Sequence, residues 1–366
     1  MARAKAEKSD VAPSSEGAFS INSVLKTLRK KRPDSTISIL QESGELSGTT
    51  IPYFLSTGLM NVDWVLGKGL PASRLIEIYS NSPGEGKSSL LASIIKSAQK
   101  DNYVVLLLDS ENGTIADRLV SLGVDPNNLL FESPSSMEKG FDLIDLTIKT
   151  IREMDENVKI LVAWDSIGAA TTEAELAADF EARTIGVQAR VLSSSIKKIM
   201  SILRENKTIL VCTNQVREKI NAGYGGDSRD SVGGLSLKFY SHIRLGLRRI
   251  GYLKSGQDII GIRVQISAKK NKVSTPFRKT EISILNATGA DVEDAEYTFA
   301  VQKGLLKEVG GWFQFAGSEQ KYRKSSYLKN KPEGFDVKLQ EALNVNSVVP
   351  QDLDGISSQE DDDEDI

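Results

Sequence analysis

Five short apolar runs punctuate the chain between residues 74 and 215: RLIEIYS (74–80), YVVLLLDS (103–110), NLLFES (128–133), VKILVAWDS (158–166) and TILVCTNQ (208–215). Helix-length amphipathic segments lie between them, at about 88–100, 114–122, 136–154 and 187–205. Runs apolar on both faces and separated by helices predict an α/β fold whose central sheet is mostly parallel and covered by helices on both sides. After residue 240 the runs HIRLGLRRIG, GIRVQISA and FRKTEISIL follow one another without helices, which predicts antiparallel strands added at the sheet edge. Upstream, Ile21, Val24, Leu25 and Leu28 keep a helical spacing that ends in the basic run RKKRP. From Tyr297 helical patterns return around Gly310–Gly311–Trp312, predicting a small α/β domain over 297–348. The expected organisation is a disordered start (1–18), a helix-bearing segment (19–56), a core (57–296), the small domain, and an acidic, disordered tail (349–366). There is no internal repeat.

In an open α/β sheet, ligands bind at the carboxyl ends of the strands, so the last residues of each run carry the information. The first run opens into SNSPGEGKSS, which closes as Gly86-Lys87-Ser88 and starts a helix. A strand, a tight glycine-bearing turn and a helix N-terminus aim backbone N–H groups at phosphates. Lys87 would reach the β- and γ-phosphates, and the Ser88 hydroxyl a Mg²⁺ ion. The nucleotide cradle is therefore Asn81, Ser82, Pro83, Gly84, Glu85, Gly86, Lys87, Ser88 and Ser89. The phosphate-loop pattern has glycine where this chain has Asn81; asparagine tolerates positive φ, so the turn remains feasible. Asp165, at the tip of a buried run, suits the second Mg²⁺ contact, or else a helix cap. Glu111 could polarise an attacking water, with Asp109 as the competing carboxylate.

Composition narrows the chemistry. The single Cys212 excludes an internal disulfide and fits a reducing cytoplasm, and the single His242 excludes histidine-based triads and multi-histidine metal centres. No apolar run approaches the ~20 residues of a membrane helix, and MARAKAEKSD lacks the apolar stretch of a secretory signal. The net charge of −3 is unevenly placed: Asp352–Asp365 holds eight acids and no base, leaving −3 + 8 = +5 for residues 1–351. Such a block is a solubilising tail, or a mimic of DNA that competes for the chain's own basic surface.

From about Thr57 to Asn344 the chain resembles bacterial RecA-type recombinases, including divergent phage-borne ones. The pieces carrying the resemblance are STGLMNVDWVLGKGLPASRLIEIYS, the phosphate loop, LLDSEN, LGVDPNNLLF, LVAWDSIGA, NQVREKI, GGLSLKFYSHIRLGLRRIG, KKNKVSTPF and the GGWFQF-type tail, in family order. The resemblance implies a RecA-like ATPase core that binds ATP and Mg²⁺. Residues 19–56 would pack on a neighbouring subunit, and the tail domain would touch duplex DNA. It assigns Glu111 as catalytic base, Asp165 to Mg²⁺ and Gln215 as sensor of the γ-phosphate. It makes Lys270 and Lys272 cations that reach the neighbour's ATP. An ungapped reading puts Arg118 where the family has a tyrosine that stacks on adenine. Two segments match DNA-facing loops, about Asp179–Arg190 and Arg217–Gly234. Within them Arg190, Arg217 and Lys219 are the expected phosphate contacts, Ile185 and Ile220 the wedges between bases, and Gly186, Gly233 and Gly234 sites of close backbone approach. Arg248 and Arg249 would help hold a second, duplex DNA.

The implied activity is single-strand-stimulated ATP hydrolysis by a helical filament that pairs homologous strands in the cytoplasm, with loader or single-strand-binding proteins as further partners. A ring helicase of the same fold shares the phosphate loop but not the GGLSLKF…RRIG block. A non-hydrolysing filament accessory is motivated by Asn81 and Arg118.

Overall fold

Alternate residues of the apolar runs face opposite sides of one sheet, and both sides are filled. The computed structural model describes residues 20–34, 37–39, 50–179, 186–218, 229–231 and 236–344, with backbone only at 217–218 and 229–231. The runs become β3 (Leu75–Ser80), β4 (Val104–Asp109), β5 (Leu130–Glu132), β6 (Ile160–Asp165) and β7 (Ile209–Glu218). Between and after them come α3 (Lys87–Lys100), α4 (Ala116–Ser121), α5 (Met137–Met154) and α7 (Val187–Glu205), with the short helix α6 (Glu173–Leu176) before α7. On β6, Leu161 and Ala163 join the core under α3 and α2 (Met60–Leu66), while Ile160, Val162 and Trp164 join the core under α5 and α7. The period of two therefore sorts side chains onto two covered faces.

The strand order is β12-β11-β10-β9-β3-β7-β6-β4-β5, where β9 is Ile243–Ser255, β10 Asp258–Asn271, β11 Lys279–Leu285 and β12 Gly289–Ala290. From β9 to β5 neighbours are parallel, and β10, β11 and β12 are antiparallel additions. One expectation needs adjusting: the first helix-free run, β9, is itself parallel to β3, and the antiparallel section begins only at its partner β10. The two-residue pair β1 (Phe54–Leu55) and β2 (Leu70–Pro71) stands apart from this sheet.

The chain divides into two compact units, Met1–Thr50 and Ile51–Ile366. In the first, α1 (Ile21–Lys31) starts at a capping box between Ser20 and Ser23. It ends on Arg29, Lys30 and Lys31, cations that suit the negative end of a helix. In the second unit, α9 (Val292–Gln302), α10 (Phe335–Asn344) and the three-stranded sheet β13 (Leu306–Val309), β14 (Trp312–Phe315), β15 (Tyr322–Arg323) enclose an aromatic core of Tyr297, Phe299, Phe313, Phe315, Tyr327 and Phe335. Gly310 and Gly311, both at positive φ, make the β13–β14 turn.

Candidate functional site

Four strand ends stand in a row along one edge of the parallel sheet. Ser80 of β3 is in register with Gln215 of β7, and Asp165 of β6 with Asp109 of β4. The loop after Ser80 turns on Gly84 (φ +71°) and Gly86 (φ +89°). Asn81 is not among the residues with positive φ, so the glycine of the usual pattern is not needed there for conformational freedom. That corrects the expectation that the turn depends on asparagine's tolerance. Gly86 caps α3 in the left-handed conformation, and a Cβ there would lie 2.4 Å from Ile284 Cδ1. The first-turn N–H groups of α3, at Lys87, Ser88 and Ser89, are the orphan donors of a helix start.

The loop is braced by its own polar groups. Ser80 Oγ donates to the Ser82 carbonyl (2.8 Å) and accepts from Lys87 Nζ (2.9 Å). Glu85, buried, accepts from Ser82 N (3.3 Å) and from Arg249 N on β9 (3.4 Å). Ser82, Pro83 and Gly84 are exposed at the crest.

Beside the loop, Thr213 donates to Asp165 Oδ1 (2.5 Å), and the Ser88 side chain also hydrogen-bonds this carboxylate. Burial pushes the Asp165 carboxyl up, against the pull of those hydroxyls and of Lys87, while Glu111 adds to the rise. A half-buried carboxylate between two hydroxyls is an oxygen-only donor set that fits a hard divalent cation. Among the described residues no cluster of three Asp, Glu, His or Cys could cage a metal. The ion that suits this set is therefore one like Mg²⁺, which takes its other ligands from phosphate and water.

Asp109 and Glu111 differ in their surroundings. Asp109 is buried and both its oxygens are committed, Oδ1 to Glu111 N (2.9 Å) and Oδ2 to Thr114 N (2.8 Å). It holds the loop that presents Glu111, which is exposed and lines the same cavity of about 210 Å³ as Ser88, Ser89, Asp165 and Arg118. Arg118, on α4, donates through Nη1 to the Asn286 carbonyl (2.5 Å) and Ser121 Oγ (3.2 Å).

Beneath the row lies a buried polar chain. Asn214 Oδ1 accepts from Gln215 N (2.9 Å), and Asn214 Nδ2 donates to Glu77 Oε1 (2.9 Å). Glu77 Oε2 accepts from Arg244 Nε (2.5 Å), whose guanidinium lies 4.4 Å from the Tyr79 ring centre. Lys270, on β10, donates to the carbonyls of Lys238 (2.7 Å) and Phe239 (2.9 Å) in α8 (Ser236–Tyr240). Burial, then Lys272 and Arg244, push its ammonium pKa down. Lys272 is exposed next to it.

The expected DNA segments are described only in part. Ile185, Lys219, Ile220, Gly233 and Gly234 lie outside the described residues. Gly186 caps α7 at φ +78°, and Arg190 is exposed in its first turn. Gln188 ties that turn to the segment after Asp165 through the carbonyls of Gly168 (2.9 Å) and Ala170 (3.0 Å). The backbone at Arg217 continues β7, pairing with Asp230 of β8 (Arg229–Ser231), so the second segment starts in a hairpin stem and not in loop from its first residue. Arg248 and Arg249 sit on β9; Arg249 is exposed with its guanidinium 4.7 Å from the Tyr252 ring centre.

The sequence reading missed Ser80, Thr213, Asn214 and Glu77. Thr213 carried a signal, since it precedes Gln215 by two residues and so shares its face of the strand. Glu77 could only have stood out as a charge inside an apolar run.

A model of the RecA N-terminal domain matches residues 20–291. Protein RecA of Chlorobaculum parvum is 33% identical over 301 residues, covering 82% of this chain and 83% of that protein. Protein RecA of Thermus aquaticus is 32% identical over 319 residues, 86% of this chain and 90% of that protein. Protein RecA of Streptomyces venezuelae is 33% identical over 298 residues, 80% and 77%.

Proposed function

The chain belongs to the RecA family of recombinases, and we propose that it forms helical filaments on single-stranded DNA, hydrolyses ATP when so bound, and exchanges homologous strands. The observation that carries this reading is the continuity of β7. One strand brings Gln215 level with Ser80 at the phosphate loop and then runs on, through Arg217, into the stem of the second DNA segment. A shift at Gln215 on nucleotide binding would thereby be passed along paired backbone to the DNA side.

In this reading Lys87 leaves Ser80 for the β- and γ-phosphates, and the α3 N-terminus adds its N–H groups. Ser88 and Asp165 hold Mg²⁺, which would neutralise charge on the phosphates. Glu111 orients the attacking water and takes its proton, held out for that task by Asp109. Gln215 senses the γ-phosphate. Lys270 and Lys272 serve the neighbouring protomer's nucleotide, so hydrolysis requires assembly. Two exposed features suit a neighbouring copy: Ile21 and Leu28 on α1, and Leu130 and Phe131 on the edge strand β5. Arg190, Arg217, Arg248 and Arg249 supply contacts to DNA phosphates, so binding tolerates sequence and weakens steeply with salt.

The test is ATP hydrolysis with and without single-stranded DNA at low and high salt. Strong, salt-sensitive stimulation is expected, lost in Lys87→Ala. Hydrolysis indifferent to DNA while DNA still binds would overturn the coupling through β7. Closed rings without helical filaments in electron micrographs would overturn the recombinase reading.

A further inference from the structure

Two cations share one aromatic ring where the large sheet meets the aromatic core. Arg278 precedes β11, and its guanidinium carbon lies 5.1 Å from the centre of the Trp64 ring. Lys303 caps α9, and its ammonium lies 4.6 Å from the same ring. Trp64 belongs to α2, so the group joins three elements. A tryptophan face attracts a cation but does not neutralise it. Arg278 donates through Nη1 to the Trp64 carbonyl (2.9 Å) and through Nη2 to Thr275 Oγ1 (3.4 Å), both uncharged acceptors. Among the described residues neither cation is in a salt bridge.

The nearby carboxylates are engaged elsewhere. Glu281 of β11 pairs with Arg263 (3.1 Å), Asp294 of α9 with Arg263 and Lys324, and Glu296 of α9 with Lys331 (2.7 Å). Arg278 and Lys303 are both half-buried, and burial pushes both pKa values down, with Arg278 adding to the fall at Lys303. Two like charges drawn partly out of water, with uncharged acceptors only, gain from an anion placed between them. The chain carries its own polyanion. α10 packs against α2, and Leu343 near its end rests, like Trp64, on the aromatic core. Asp352, the first of eight acids over 352–365, follows Asn344 by eight residues, an extended reach of about 26–29 Å.

We propose that the acidic segment 352–365, which lies outside the described residues, seats its carboxylates on Arg278 and Lys303 and so straps α9 and α10 to the large sheet beside β11. Tethering through α10 makes the encounter intramolecular, at an effective concentration on the order of millimolar, so contacts too weak for a free peptide persist. The same tether favours these carboxylates over phosphates arriving from solution. The pair is open to solvent on one side, so the strap weakens with salt. The seat requires neither nucleotide nor DNA.

The experiment measures how fast a neutral acetylating reagent modifies Lys303 in the full chain, read site by site by mass spectrometry. Wild type is compared with a variant carrying Asp361→Asn, Asp362→Asn, Asp363→Asn, Glu364→Gln and Asp365→Asn. A seated carboxylate keeps the ammonium protonated and covered, so Lys303 of wild type should react at least about threefold more slowly at low salt. Near about 0.5 M NaCl the two proteins should react alike. In an Arg278→Gln background, with circular dichroism checking the fold, the difference between the two tails should shrink toward none. Lys197, exposed on α7, should react alike throughout. A carbodiimide should join Lys303 to a carboxylate of 352–365 within one chain, so an equal mixture of isotope-labelled and unlabelled protein yields no hybrid cross-links. Equal rates for the two tails at low salt, or a difference that survives Arg278→Gln, overturns the proposal. Hybrid cross-links overturn it in favour of contact between copies. Protection of Lys303 by added duplex DNA, with no effect of the tail, overturns it in favour of a DNA contact.

Discussion

Replacing Glu77 with alanine should cost about 3–5 kcal/mol of stability, because it removes the carboxylate paired with a buried guanidinium. Glu77 is fully buried in β3 and Arg244 is 8% exposed in β9. Their hydrogen bond is 2.5 Å, and the second carboxylate oxygen is taken by the Asn214 amide at 2.9 Å. The substitution therefore removes the acceptor of two donors at once. The Asn214 amide adds about 1 kcal/mol as a buried unsatisfied group, while the contact of Arg244 with the Tyr79 ring returns a similar amount. At roughly 2–4 °C per kcal/mol for a protein of this size, the thermal midpoint should fall by about 10 °C. Removing both charges has a different sign. Glu77→Leu combined with Arg244→Met replaces the pair by apolar side chains and should recover most of the loss, as buried ion pairs often exchange for hydrophobic packing at little cost. Urea denaturation followed by circular dichroism, run as a double-mutant cycle, measures the coupling. A Glu77→Ala protein within about 1 kcal/mol of wild type, or a double variant as unstable as the sum of the singles, would refute the reasoning. The same cycle reports on the site, because Asn214 accepts the N–H of Gln215: Glu77→Ala should also blunt DNA stimulation of hydrolysis in the protein that remains folded.

Glu111→Gln keeps the size of the side chain and the backbone N–H to Asp109, so it should retain ATP binding while hydrolysis falls by about 10²–10⁴, read as turnover against nucleotide displacement. Asn81→Gly should not improve nucleotide binding and should lower stability by about 0.5–1 kcal/mol through unfolded-chain entropy, since position 81 does not use positive φ. Gly86→Ala, by contrast, meets Ile284 and a φ of +89°, and should weaken nucleotide binding measurably by displacement assay. His242 gives a pH test. Burial, then Arg74, Lys272 and Lys270, push its imidazole from 6.5 down to about 4. The unfolded chain then binds more protons between those values, so stability is intact above pH 6.5, declines on acidification and reaches its full loss below pH 4. Discounted for partial exposure, that loss is about 1–2 kcal/mol, and His242→Gln should remove it from a plot of urea midpoint against pH.

What the linear sequence reveals and conceals follows from the kind of contact involved. Periodicity belongs to single elements, so α7 is predicted over 187–205 and forms there, and the Gly86-Lys87-Ser88 turn declares itself because strand, turn and helix are contiguous. The polar groups that make the site work are joined across strands instead. Glu77 meets Asn214 across 137 residues and Arg244 across 167, because β3 takes β7 and β9 as neighbours. Nothing local in RLIEIYS tells that its glutamate will be matched from both sides. The resemblance named residues expected to face ligand, and could not name those packed behind them. Asp109 illustrates the difference: by position it competes with Glu111, and only the fold shows that both its oxygens are taken by the following loop. Position 118 shows the reverse case, where the local departure is plain in the sequence but its sense depends on a carbonyl 168 residues away.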